Sequence, residues 1–296
     1  MSAPMTRPLQ PASSSRSEAG LPRFRWLKSK LIGAALTVYA LVTLYPLLWL
    51  FISALKTNEE FFSRPFGLPS HWNWSNFSRA WEVAEMGRAY VNSFFVTILS
   101  LILTLVLGAL SGYVLSRFQF RGKLLVMGVF MLGMLIPIHS TLVPLFILMN
   151  KIHILNTYAA LIMPYTAFEL PIAIFICVAY MNSFPKEVEE AAQIDGSGYW
   201  GIFFRMMLPL ALPALATVGI LAFLRYWNDF SFALVFMSDP KLKTLPLSLS
   251  VFATGYSTDY KLTMAAMALA VIPTIIVYLI FQEQVMKGMT AGAVKG

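Results

Sequence analysis

Charge is what this chain has least of. Only 12% of its 296 residues are Asp, Glu, Lys or Arg, about half of the roughly 25% found in an average soluble domain. Hydrophobic residues make up 58%, which excludes an ordinary water-soluble globule and indicates a membrane protein. There is one cysteine, Cys177, inside an apolar run; an intramolecular disulfide and a cysteine-based zinc site are both excluded, and the thiol is read as a small buried side chain. His71, His139 and His153 are scattered with no paired-ligand spacing, so a histidine metal site is not expected. No Walker A sequence occurs: Gly122 and Lys123 are followed by Leu124, without the hydroxyl residue that phosphate and magnesium need. Gly196, Gly198 and Gly201 spell GxGxxG, but a helical pattern precedes them and Tyr199 and Trp200 fill the gaps, unlike a dinucleotide fold. Ser111 before Gly112 has Ala109 where an intramembrane serine protease would have glycine. A membrane-embedded enzyme therefore lacks a complete nucleophile, acid, base or metal set, and no cofactor is expected. The net charge is +8, with pI near 9.6, yet the basic residues are dispersed among apolar runs and form no stripe for nucleic acid.

What the chain does have is a series of long apolar runs. Residues 1–30 read as a tail rich in Ser, Pro, Ala and Arg, closing on the basic cluster Arg23, Arg25, Lys28 and Lys30. The uncharged run that follows is long enough to cross ~30 Å of hydrocarbon and too long for a signal peptide, giving a first transmembrane helix over 31–53. A loop over 54–88 carries Trp72, Trp74 and Trp81, as segments at a membrane interface do. Further spans are expected over about 90–115, from 124, over 158–181, from 208, and over 262–281. Gly108 and Gly112 form a GxxxG spacing that would let another helix approach closely; incidental glycines are the alternative. Pro137 and Pro144 should break or kink the third span near its far end. Six spans place both termini on one side, and the basic N-terminal cluster with Arg117, Arg121 and Lys123 marks that side as cytoplasmic. The remainder, 283–296, reads as a short cytoplasmic tail.

Between the fourth and fifth runs lies the polar segment 184–209. Pro185 suits a first helical position, and Glu187, Glu189 and Glu190 sit where the helix dipole favours anions. Gly196 should release the chain into a sharp turn, followed by a second short helix lying flat before Pro209 leads back into lipid. Glu190, Ala191, Ala192, Gly196, Leu208 and Pro209 fall in the pattern Glu-Ala-Ala, three residues, Gly, nine residues, Ile, one residue, Leu-Pro, with Met206 in place of Ile. This segment resembles the EAA loop of ABC-importer permeases. Tyr226 to Phe230 (YWNDF), Ser238-Asp239-Pro240, Leu245-Pro246 and the ending GMTAGAVKG are similar to the carbohydrate-importing branch of that family, including the smaller permease subunit of the maltose importer. The resemblance extends over most of the chain from residue 31 onward.

The resemblance implies an all-α membrane protein with six transmembrane helices, the type I ABC importer transmembrane domain, its core over 89–282. It implies that the loop docks in a cleft of an ATPase subunit, with Glu190, Ala191, Ala192, Asp195, Gly196, Leu208 and Pro209 as the ATPase-coupling residues. The implied partners are a sister permease subunit in a heterodimer, two ABC ATPase subunits and an extracytoplasmic solute-binding protein. The implied cargo is a sugar or oligosaccharide crossing the inner membrane of a prokaryote, driven by ATP that another polypeptide hydrolyses. Charged residues within spans cost free energy to insert and are candidates for the solute path. Glu169 either lines that path or accepts hydrogen bonds from backbone freed by Pro164 and Pro171. Arg225 and Asp229 are four apart and are expected to pair with each other. Trp227 and Asn228 beside them, with Asp229, could meet a sugar ring. The alternative reading is a secondary transporter for a small polar solute, which should show internal repeats and paired intramembrane acids; neither is evident.

Overall fold

The structure is a computed structural model that describes residues 22–252 and 259–293, with side chains from 29 to 252 and from 259 to 283. The N-terminal tail up to residue 21, part of the connector at 253–258 and the last three residues lie outside the described residues, as do the side chains of the GMTAGAVKG ending. The chain divides into two compact units, Met1–Trp49 and Leu50–Gly296. Helix α1, Pro22–Ser53, begins within the first and ends in the second. The helix thus starts inside the stretch read as tail. In the first unit, Thr37 and Thr43 return their hydroxyls to the carbonyls of Gly33 and Tyr39 at 2.9 and 2.8 Å, so neither leaves an unmet donor in an apolar environment.

In the second unit the stretch read as a loop over 54–88 contains two helices, α2 (Asn58–Ser63) and α3 (Ser75–Val83). Thr57 and Glu60 form a capping box that starts α2, each side chain bonded to the other's backbone N–H at 3.1 Å. Hydrogen bonds from the Ser70 hydroxyl and amide and the Thr57 amide hold the Glu60 carboxyl down to about 2. Lys56 is fully buried, and its ammonium donates to the carbonyls of Arg64 and Pro65 at 3.0 and 2.8 Å. Burial lowers its pKa below the usual lysine value.

The long helices follow. Helix α4 is Met86–Arg117, α5 Lys123–Met134, α6 Leu142–Lys151 and α7 Ala159–Met181. Next come the short α8, Glu187–Ile194, then α9, Tyr199–Leu210, and α10, Leu212–Trp227. Helices α11 (Ser231–Phe236) and α12 (Leu245–Ser248) lead to α13, Tyr260–Ala293. Among the described residues four helices are individually long and apolar enough to cross a membrane, and counting each of two bent pairs as one span raises the number to six. The α5 pair bends by 95° at 135–137, where Pro137 ends the helix and a 3₁₀ turn, Ile138–Thr141, restarts it. Pro144 falls in the first turn of α6, where its missing N–H breaks nothing. The α9–α10 pair bends by 69°. The bend lies at Ala211, after Pro209, and Pro213 occupies the first turn of α10.

Helix α4 packs along α7 and against α10, and α10 packs on α13. The α4–α7 approach resolves the GxxxG question. A methyl group placed on Gly108 would stand 2.8 Å from the Ala173 Cβ, and one on Gly112 would stand 2.5 Å from the Cys177 Cβ. Both glycines are therefore required by close helix contact. Helix α13 continues to Ala293, so most of the segment read as a C-terminal tail is helical.

Candidate functional sites

The first site is the elbow after α7. Helix α8 ends in a Schellman turn: the Ser197 amide reaches the Ala192 carbonyl at 2.9 Å and the Gly196 amide reaches Gln193 at 3.0 Å. This geometry places Gly196 at φ +83, a backbone region that glycine enters without a steric cost. Pro185 precedes the helix by two residues instead of opening it. Glu189 and Ala192, three apart, face the bundle and are buried; Glu190, Ala191, Ile194, Asp195 and Gly196 are exposed. Leu208 is half-buried and Pro209 exposed on α9. Of the two motif alanines, Ala192 therefore packs inward with Tyr113, Met181 and Phe203, and Ala191 faces outward. Val188, Ile194 and Trp200 also stand exposed, at 43, 87 and 66%. Helix α9 contains a π turn over Phe203–Met207. Sequence reasoning singled out Glu190 and missed its neighbour: Glu189 forms a buried ion pair with Arg117 at the end of α4. Its three-residue separation from Ala192 on one helix face was the available signal.

The second site is a cavity of about 350 Å³ between α7, α10 and the turn at Ile138, lined among others by His139, Tyr165, Arg225, Tyr226, Asn228 and Asp229. The expected Arg225–Asp229 pair does not form. Arg225 reaches back to Glu169 on α7 at 2.8 Å. Asp229 lies beyond the last turn of α10 and accepts from the Tyr165 hydroxyl at 2.7 Å and the Phe232 amide at 3.2 Å. The helix ends at Trp227, so the four-residue spacing no longer sets a shared face. Glu169 is buried, accepts from Arg225 and does not line this cavity. Trp227 is also buried and stacks on Phe223 with ring centres 5.6 Å apart. Of the four solute-path candidates, Asn228 and Asp229 line the cavity; Glu169 and Trp227 do not. Sequence reasoning missed the stacked pair Tyr165 and Tyr226, 5.1 Å apart and 4° from parallel, whose partners lie too far apart in sequence for spacing to reveal.

The Glu169 and Arg225 side chains are 3 and 44% exposed. Removing Arg225 strands a buried carboxylate, so Arg225→Ala should destabilise the chain by about 3 kcal/mol, the low end for a broken buried pair because the guanidinium is half in solvent. Adding Glu169→Gln should restore most of that loss. Thermal unfolding in detergent measures both, and an additive double variant would show that the two side chains do not depend on each other.

A helical membrane bundle, with an exposed amphipathic elbow at one end and a hydrogen-bonding cavity within, has the architecture of a transport subunit. The chain belongs to the family of binding-protein-dependent transport system inner membrane components, whose model matches residues 104–291. It is 37% identical over 261 residues to the diacetylchitobiose uptake system permease protein NgcG of Streptomyces coelicolor, covering 88% of this chain and 86% of that one. The probable ABC transporter permease protein YurM of Bacillus subtilis is 36% identical over 276 residues, covering 93 and 92% of the two chains. The trehalose/maltose transport system permease protein MalG of Thermococcus litoralis is 33% identical over 270 residues, covering 90 and 96%. Among solved structures, a chain of a bacterial ABC transporter that imports the acidic polysaccharide alginate superposes with a TM-score of 0.76 at 23% identity, covering 88% of this chain and 97% of that one. That likeness shows the shared importer fold.

Proposed function

We propose that this chain is one of two different permease subunits of an importer for a sugar or oligosaccharide, with both termini in the cytoplasm. An extracytoplasmic binding protein delivers the solute. Two separate ATPase subunits close on ATP and carry the α8 elbows with them, switching the bundle between inward-facing and outward-facing states. The observation that carries this reading is the split face of α8: Glu189 and Ala192 are turned into the bundle, while Glu190, Ala191 and Ile194 are offered to a partner. The names of the relatives support the cargo class, since they include diacetylchitobiose, trehalose and maltose, and arabinooligosaccharide systems. The cavity supports it too. Asn228, the half-exposed Arg225 and the exposed Phe230 ring combine hydrogen-bonding groups with aromatic surface, as a hydroxylated ring requires. Against a secondary transporter, the charge of Glu169 is already met by Arg225, which leaves it no free carboxylate for a coupling ion.

Purification of the tagged chain from its native membrane should bring down an ATPase and a second permease. ATP hydrolysis by that complex should rise severalfold with binding protein loaded with diacetylchitobiose, trehalose, maltose or an arabinooligosaccharide. A chain that purifies alone, in a membrane that contains the other subunits, would overturn the reading.

A further inference from the structure

A lever that moves a bundle has to be fastened to it, and α8 has little apolar surface for the purpose: among its side chains only Ala192 joins a buried hydrophobic cluster. The remaining attachment is ionic. Arg117, the last residue of α4, pairs with Glu189, their side chains 6 and 9% exposed. The same guanidinium donates to the Phe184 carbonyl at 3.2 Å, so it grips both α8 and the segment that leads into it. Out of water, such a pair is costly to separate, because either partner alone would be a buried, unmet charge. Helix α4 is continuous for 32 residues, without proline, about 48 Å at 1.5 Å per residue. Near its other end the buried Asn92 donates to the carbonyls of Lys241 and Lys243, both at 2.9 Å. Ser93 there accepts from the Leu245 amide at 2.7 Å.

We infer that Arg117 and Glu189 are positioning residues of the transport cycle. Their pair locks α8 to α4, and α4 carries displacement of α8 to the connector around 241–245. The inference rests on the proposed coupling role of α8. Neither residue lines the cavity.

The test uses the whole importer in proteoliposomes, with Cys177→Ala and a reporter, Lys241→Cys, whose side chain is exposed and whose carbonyl still serves Asn92. The measurement is the maleimide labelling rate with and without ATP, per assembled complex. ATP should change that rate severalfold. Glu189→Gln and Arg117→Gln, on different helices, should each abolish the change while the complex still assembles. The exchange Arg117→Glu with Glu189→Arg should recover at least half of it. If either single variant lowers only the yield of complex and keeps the ATP-dependent change, the pair is merely structural and the inference fails while the coupling role of α8 stands. If the unsubstituted complex shows no ATP-dependent change, both fail together.

Discussion

Gly112→Ala should cost this protein about 1–3 kcal/mol, the usual penalty for one extra methyl group in a packed interior, and Gly112→Leu should prevent accumulation of the folded chain. The added Cβ meets the Cys177 Cβ at 2.5 Å. A Cβ cannot rotate away, so α4 and α7 would have to separate by about an ångström to restore ordinary contact. The effect would spread, because α4 also packs on α10 and holds the turn at Lys241 through Asn92. The decisive companion is Gly112→Ala with Cys177→Gly, which removes the opposing atom. It should recover the loss apart from the ~1 kcal/mol that a new helical glycine costs. Midpoints of thermal unfolding in detergent report the series. A Gly112→Ala chain as stable as the parent would mean that the two helices do not meet at this point.

Gly196→Pro should reduce solute uptake to less than a tenth while leaving membrane insertion intact. The native φ at this position is +83, and proline is confined to about −65°. Proline also removes the amide that donates to the Gln193 carbonyl at 3.0 Å, undoing the Schellman turn that sets the direction in which α9 leaves α8. Gly196→Ala can occupy the left-handed region at a cost of roughly 1–2 kcal/mol and should retain partial uptake. Gly198→Ala is the control, since its φ is −73 and nothing lies within 4 Å of the new methyl; its uptake should match the parent. The assay is ATP-driven uptake into vesicles that contain the complete importer. Parental uptake by the Gly196→Pro form would remove α8 from the transport cycle.

The parts of this architecture that were legible in the sequence are those decided locally. Run length identified the spans, Pro137 marked the break in the third, and the position of Gly196 marked the left-handed turn. Misreadings arose where a distant segment competes for a side chain. Arg225 and Asp229 have ideal helical spacing, but α10 stops at Trp227; Glu169, fifty-six residues away in sequence, takes the guanidinium and Tyr165 takes the carboxylate. Trp227, next to two polar residues, is turned onto Phe223 by the end of α10 and lines a separate, smaller cavity with Asn228. Glu189 and Glu190 are the same residue type in adjacent positions, and only the direction of the helix face separates the anchor from the exposed group. The short helices α2 and α3 were hidden by their brevity, although Thr57 and Glu60 have the spacing of a capping box.

The exposed Val188 and Ile194 of α8 bear on how much of this subunit a cell can hold. Apolar side chains presented to water invite proteolysis and self-association until something shields them. With the elbow as the proposed docking face, copies synthesised beyond the supply of ATPase would be cleared, and the abundance of the motor would limit that of the channel without any dedicated regulator.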